Sequence, residues 1–176
     1  MVSKIGYQGA GTVEFLVSTF SEDREDDFFF MEMNTRLQVE HPVSEAITGL
    51  DFVELQLDIA SGNPLNIKQT DIQCLGHAIE SWIYAEDPLN DFLPSIGKIS
   101  EISFPKNATH FVSGETRLDH GIYEGAVVTP FYDPMIAKLI IHGKDRNEAI
   151  RKKINSLNEF NVQGIATNII FLLKIL

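Results

Sequence analysis

From Glu32 to Glu40 every second residue carries a polar head: Glu32, Asn34, Arg36, Gln38 and Glu40. Met33, Thr35, Leu37 and Val39 fill the positions between. A period of two belongs to extended backbone and puts the five polar side chains on one side. Two carboxylates, two carboxamides and a guanidinium are costly to align unless something charged lies among them. A solvated strand face would also alternate, but with Lys, Ser and Thr in no fixed order. Convergent ionisable groups mark functional surfaces. Upstream, Glu14 sits in T-V-E-F-L-V-S and Glu32 in D-F-F-F-M-E-M-N, both strand-like and apolar. Carboxylates in such strands are rare unless paired or metal-bound. If the strands form a hairpin, Glu14 and Glu32 converge. With the Asn34 oxygen they suit Mg²⁺ or Mn²⁺, hard ions that bridge protein and phosphate. The competing reading gives each Glu an Arg or a backbone donor, and spacing leaves the two open.

The elements that must position these groups are legible in outline. The run Glu22-Asp23-Arg24-Glu25-Asp26-Asp27 reads as a solvated loop between the two strands. Asp51 with Glu54 three residues on is a capping-box spacing, and Phe52, Leu55 and Ile59 form the apolar stripe of a helix. Gly62 and Pro64 end it. Asn63 to Gly76 reads as a connector, which places a domain boundary near Asn66. Four strands are expected beyond it: Gly76 to Ala85, Gly97 to Phe104, Thr116 to Gly121 and Met135 to His142. Asp145 with Glu148 caps a further helix whose apolar positions are Ala149, Ile150, Ile154 and Leu157. A last short helix starts near Thr167. The chain stops at Leu176 inside an apolar run, which raises the expectation that the natural polypeptide continues.

Composition narrows the classes. With 176 residues and 44% hydrophobic content, the chain can bury a core. No apolar run is long enough to span a membrane. The first seven residues lack an apolar signal core, so a cytoplasmic protein is expected. A net charge of −11 argues against a nucleic-acid partner, which needs a basic footprint. Cys74 is the only cysteine, so no internal disulfide or thiolate metal site can form. It reads as a small half-buried residue. His41 and His77 lack a second His or Cys at ligand spacing and read as structural. Arg117 and Asp119, alternating on one strand, read as an ion-pair rung worth little.

The run M-E-M-N-T-R-L-Q-V-E-H-P-V-S-E, with G-A-G-T-V-E-F before it, resembles biotin carboxylase. So do G-H-A-I-E, Y-A-E-D-P, F-L-P-S, F-Y-D-P-M-I-A-K-L-I and T-N-I-I-F-L, in order along nearly the whole chain. The wording is most similar to the biotin-carboxylase part of acyl-CoA carboxylase α subunits, of the methylcrotonyl-CoA or propionyl-CoA type. The resemblance implies an α+β fold. Residues 1–66 would end an ATP-grasp domain, and residues 67–176 would form the biotin carboxylase C-terminal domain, an antiparallel sheet with packed helices. It implies an enzyme that uses MgATP and bicarbonate to make carboxyphosphate and then carboxylates biotin on a carrier protein. By resemblance Glu14 and Glu32 are metal carboxylates with Asn34 beside them, and Leu16 and Met31 line an adenine pocket. Arg36 holds bicarbonate and later the biotin enolate. Gln38 and the Val39 N–H complete the bicarbonate contacts, and Glu40 is the general base. The implied partners are the rest of a biotin carboxylase chain, a biotin carboxyl carrier domain, a carboxyltransferase subunit and a second copy in a homodimer. The implied compartment is the cytoplasm, or the mitochondrial matrix of a eukaryote.

Two departures stand out. The family carries an arginine where this chain has Trp82, two residues after Glu80 on the same strand face. An indole has one N–H and no charge, so it cannot replace a guanidinium beside an enolate. Nothing in the chain matches the family's N-terminal domain, Gly-rich lid, adenine hinge or bicarbonate lysine; Gly9-Ala10-Gly11 is only a turn. The expectation is a C-terminal portion carrying half an active site and inactive alone. The competing readings are a non-catalytic remnant or dimerising assembly module, another ATP-grasp ligase, and a plain β-rich binding domain.

Overall fold

A computed structural model describes residues 2–18, 27–111 and 114–176 of the chain. The acidic run expected as a loop lies, at residues 22–26, outside the described residues. The chain divides into two compact units, one of Met1–His41 and Asp51–Ile72, the other of Pro42–Leu50 and Gln73–Leu176.

The first unit opens with a short helix, α1 (Val2–Ile5), that the sequence pattern did not announce. Strands β1 (Thr12–Ser18) and β2 (Asp27–Asn34) form where the two aromatic-rich runs placed them, and they pair antiparallel. Their register pairs Thr12 with Asn34 and Glu14 with Glu32, then slips so that Phe15 pairs with Phe30. Met31 is therefore the extra residue of a bulge, which re-aims the strand beside the carboxylates. The extended run expected to Glu40 ends as a strand at Asn34; a turn follows at Val39 and Glu40. Helix α2 (His41–Thr48) then begins; from Pro42, which has no N–H to leave unpaired in the first turn, it belongs to the second unit. Helix α3 (Phe52–Ala60) forms where the capping box placed it. Asp51 Oδ1 accepts from the Glu54 N–H at 2.8 Å, and Gly62 follows at φ +88°.

The second unit holds the core. After β3 (His77–Tyr84) come four short strands. Glu86–Asp87 (β4) pairs with Leu93–Pro94 (β5), and Gly97–Lys98 (β6) with Val127–Val128, the ninth strand in chain order. Between them lie β7 (Glu101–Ser103) and β8 (Thr116–His120), so Val127–Val128 is β9. The long strand β10 (Met135–Gly143) sits between β3 and β8, antiparallel to both. Helix α4 (Arg146–Glu159), strand β11 (Asn161–Gln163) and helix α5 (Ile169–Ile175) complete the chain. The single strand expected over residues 97–104 is two short ones, because its partner changes between Ile99, whose N–H donates to the Ala126 carbonyl beside β9, and Ser100, whose N–H donates to the Gln163 carbonyl in β11.

Alternation sorts this sheet's two faces. Leu139 and Ile141 of β10 join Ile83, Leu118, Leu157 and Phe160 in one cluster under α4. Each such side chain, removed from water, contributes about 1.5–3 kcal/mol. On the opposite face, Lys138 pairs across to Trp82 and to Asp119, and Ile140 to Glu80 and Arg117. Asp145 caps α4 through the Glu148 N–H at 2.8 Å, and Glu148 accepts from the Lys144 N–H at 2.9 Å. The buried positions of α4 include Ala149 and Leu157 as expected, but also Lys153 and Ser156. Cys74, read as half-buried, is exposed, as are its neighbours Gln73, Leu75 and Gly76.

Candidate functional site

The hairpin register brings Glu14 and Glu32 directly opposite each other. Asn34 lies two residues along on the same face, and its Nδ2 donates to Glu14 Oε1 at 2.8 Å and to Glu32 Oε1 at 3.1 Å. Like charges across a ladder are destabilising. The carboxamide relieves this with two donors, and a divalent cation would relieve it more fully. The donors are all oxygens once the Asn34 amide turns its Oδ1 inward, and that set fits Mg²⁺ or Mn²⁺ rather than a soft metal. No group of three His, Cys, Asp or Glu side chains gathers among the described residues, so such an ion would take its remaining ligands from water or phosphate.

Leu16 and Met31 are both exposed, Leu16 two residues beyond Glu14 on β1 and Met31 at the bulge of β2. Phe15, Phe28 and Phe30 stack edge-on beside them and are also exposed. Large apolar areas of this kind mark surfaces that bind something.

Arg36, Gln38, Val39 and Glu40 leave the strand and share the short turn that leads into α2. Arg36 is exposed, and its Nη1 donates to the Leu37 carbonyl at 3.3 Å. The turn is tied by His41: its N–H donates to the Gln38 carbonyl at 3.3 Å, and its ring Nδ1 lies 2.7 Å from the same oxygen. With the proton on Nδ1, the imidazole is a second donor to that carbonyl.

Trp82 stands on β3 in the second unit. Its Nε1–H donates to Glu80 Oε1 at 2.5 Å, and its ring meets Tyr84 edge-on at 6.3 Å. Asn168 locks this stretch by donating to the Trp82 carbonyl at 3.0 Å and accepting from the Tyr84 N–H at 2.9 Å. It does so instead of capping α5 with its side chain. Burial, with Asp133 and Glu86 adding negative charge, raises the Tyr84 pKa, so its phenol stays protonated. Asp133 itself is a turn former, accepting from the Met135 N–H at 2.8 Å.

The rung expected to be worth little is a buried cluster. Arg117 Nε and Nη2 each bond one oxygen of Asp119 at 2.8 Å, and Nη1 reaches Glu45 Oε2 at 2.6 Å. Lys138 Nζ lies 3.9 Å from Asp119 Oδ2. Arg117 is 8% exposed, Asp119 6% and Glu45 2%, so water does not screen the pairing as it would on a surface. Burial disfavours the guanidinium charge, but Asp119 and Glu45 outweigh it and raise the Arg117 pKa. Nothing in the sequence announced Glu45, which lies 72 residues from Arg117. A cavity of about 430 Å³ opens elsewhere in this unit, among Thr109, Glu115, Lys152 and Glu159; none of the expected site residues lines it.

Comparison with known proteins bears on both units. The biotin carboxylase C-terminal domain signature matches residues 80–176. The ATP-binding domain of the carbamoyl-phosphate synthase L chain matches residues 1–68. Biotin carboxylase 2 of Bacillus subtilis is 51% identical over 170 residues, covering 97% of this chain and 36% of that protein. The mitochondrial methylcrotonoyl-CoA carboxylase subunit alpha of Rattus norvegicus is 47% identical, covering 97% of this chain and 22% of the relative. The chain thus spans about a third or less of the relatives' length. Among solved structures, the biotin carboxylase domain dimer of Hydrogenobacter thermophilus 2-oxoglutarate carboxylase superposes with a TM-score of 0.85 at 40% identity. The match covers 99% of this chain and 36% of that one, and that crystal holds MgADP, ADP and bicarbonate.

Proposed function

Because this chain belongs to the biotin carboxylase family, we propose that it supplies the ion-holding and bicarbonate-holding residues of an enzyme that uses MgATP to carboxylate biotin. The observation that carries this reading is the pairing of Glu14 with Glu32, with Asn34 bonded to both. A divalent ion held there would offset charge on a transferring phosphoryl group. Arg36, exposed and loosely held, is free to turn onto a planar anion such as bicarbonate. Gln38 and the Val39 N–H orient that anion, and Glu40 Oε takes its proton. A carboxylate is a weak base in water, so its placement against the substrate carries the catalysis. Leu16 and Met31 offer apolar surface to the adenine ring.

We assign residues 1–66 to the end of an ATP-grasp domain and residues 67–176 to the biotin carboxylase C-terminal domain. The matched ranges 1–68 and 80–176 support that division. The partners are the remainder of a biotin carboxylase, a carrier domain bearing biotin, a carboxyltransferase subunit and a second copy of the enzyme. The compartment is the cytoplasm, or the mitochondrial matrix in a eukaryote. No helix among the described residues is long and apolar enough to cross a membrane. The 176 residues by themselves carry no phosphate-cradling loop, and we expect them not to turn over.

The test joins this chain to the N-terminal part of the Bacillus subtilis relative. Fluorescent-nucleotide binding and bicarbonate-dependent ADP release are then measured. Saturable MgATP binding that Glu32→Gln weakens at least about tenfold supports the reading. Binding that is indifferent to Glu32 and Mg²⁺ refutes it.

A further inference from the structure

Buried ion clusters contribute little net stability; apolar residues of the same volume often do as well. They do impose one geometry, since a guanidinium holding a carboxylate through two bonds cannot slide. The Arg117 cluster therefore matters most for what it orients. Two of its members, Arg117 and Asp119, lie on β8 at the edge of the three-stranded sheet, and Lys138 lies on the neighbouring β10. The fourth, Glu45, comes from α2, so the cluster pins that helix to the sheet with Arg117 Nη1 at 2.6 Å from Glu45 Oε2. A second tie sits nearby, where the Leu75 N–H donates to the Ile47 carbonyl at 2.8 Å. Glu40 immediately precedes α2 in the chain, and the first residue of the helix, His41, holds the Gln38 carbonyl through both its N–H and its ring. Glu45 lies four residues after His41, one turn along the same side of the helix.

We infer that Arg117 is a positioning residue for the turn from Gln38 to Glu40, acting through Glu45 and helix α2. Deeper than the functional reading and resting on it, this adds a residue that touches no substrate. Loss of the clamp lets α2 shift by a fraction of a turn. His41 then releases Gln38, and the carboxamide and Glu40 lose their common orientation.

Two measurements decide it. In the 176-residue chain, ¹⁵N NMR reads which ring nitrogen of His41 carries the proton. The Gln38 carbonyl holds it on Nδ1; an imidazole released to water favours Nε2. Glu45→Gln keeps the side-chain shape, so the fold survives even if Arg117→Met disturbs it, but it removes the negative charge that holds Arg117 Nη1 and so weakens the clamp. The expected result is a several-fold fall in the Nδ1–H form for the folded variant, with the β10 amide resonances unmoved. An unchanged tautomer in folded Glu45→Gln overturns the inference. In the joined enzyme, Glu45→Gln should raise the KM for bicarbonate about tenfold and leave the KM for MgATP alone. Equal changes in both, or none, also overturn it. If Glu40→Gln leaves turnover intact, the functional reading has failed instead, and the His41 tautomer still decides the positioning.

Discussion

Lys153 offers the sharpest quantitative test of this structure. It lies on α4 with no exposed surface, and its Nζ donates to the Ile79 carbonyl at 3.1 Å and the Leu139 carbonyl at 2.5 Å. Burial drives its pKa from the usual 10.5 down to about 7, with only the Glu80 charge working the other way. Of the other titratable groups on the elements packed against α4, His77 and Tyr84 stand on β3, Lys138 and His142 on β10, and Lys174 on α5. In the unfolded chain the amine holds its proton up to about pH 10.5. In the folded chain it loses it near 7. Between those values the unfolded state binds more protons, so stability rises with pH, by up to about 1.4 kcal/mol for each pH step. Below pH 7 the burden is constant at roughly 5 kcal/mol. Lys153→Met keeps the unbranched stem and discards the amine, while losing two hydrogen bonds worth about 1–2 kcal/mol together. The variant should therefore be more stable by roughly 3 kcal/mol at pH 6, and the gap should close near pH 10. Urea unfolding at pH 6, 7, 8, 9 and 10, with both chains compared at each pH, measures this directly. A wild-type minus variant difference that stays flat from pH 7 to 10 would refute the buried-amine argument. Wild type more stable than the methionine variant at pH 6 would refute it as well.

In the joined enzyme, Trp82→Arg should speed biotin carboxylation at least about tenfold with little change in bicarbonate-dependent ATP cleavage, because only the step needing a cation beside the enolate gains. Equal carboxylation rates before and after the change would show that Trp82 is no handicap. Asn168→Ala removes both side-chain bonds to the Trp82 carbonyl and the Tyr84 N–H. It should cost about 1–3 kcal/mol in urea unfolding and speed exchange of the Tyr84 amide; an unchanged amide would mean that water takes over the bond.

The sequence alone carried the local structure of β1, β2, α3 and α4. Aromatic and β-branched content marked β1 and β2 as strands with one carboxylate each, and a hairpin, if formed, would bring Glu14 toward Glu32; the ladder does pair them. Asp51 and Asp145 announced their helices because a cap acts within three residues, a range that the sequence shows directly. Alternation misled where it ran on past Asn34: a polar face at every second residue looks the same whether the backbone is a strand or enters a turn. Pro42, which opens α2, reads equally well as a break.

Tertiary structure decided what distance in the chain conceals. Arg117 and Asp119 looked like a surface rung, since two alternating charges carry no sign of what covers them, and Glu45 covers them from 72 residues away. Lys153 sits in a helix rich in Lys and Arg, where a lysine reads as solvated; only the packing of α4 on β3 and β10 puts it in the core. Burial is a property of the whole fold. It turns the same guanidinium and the same amine from solvated charges into an orienting clamp and a pH-dependent burden.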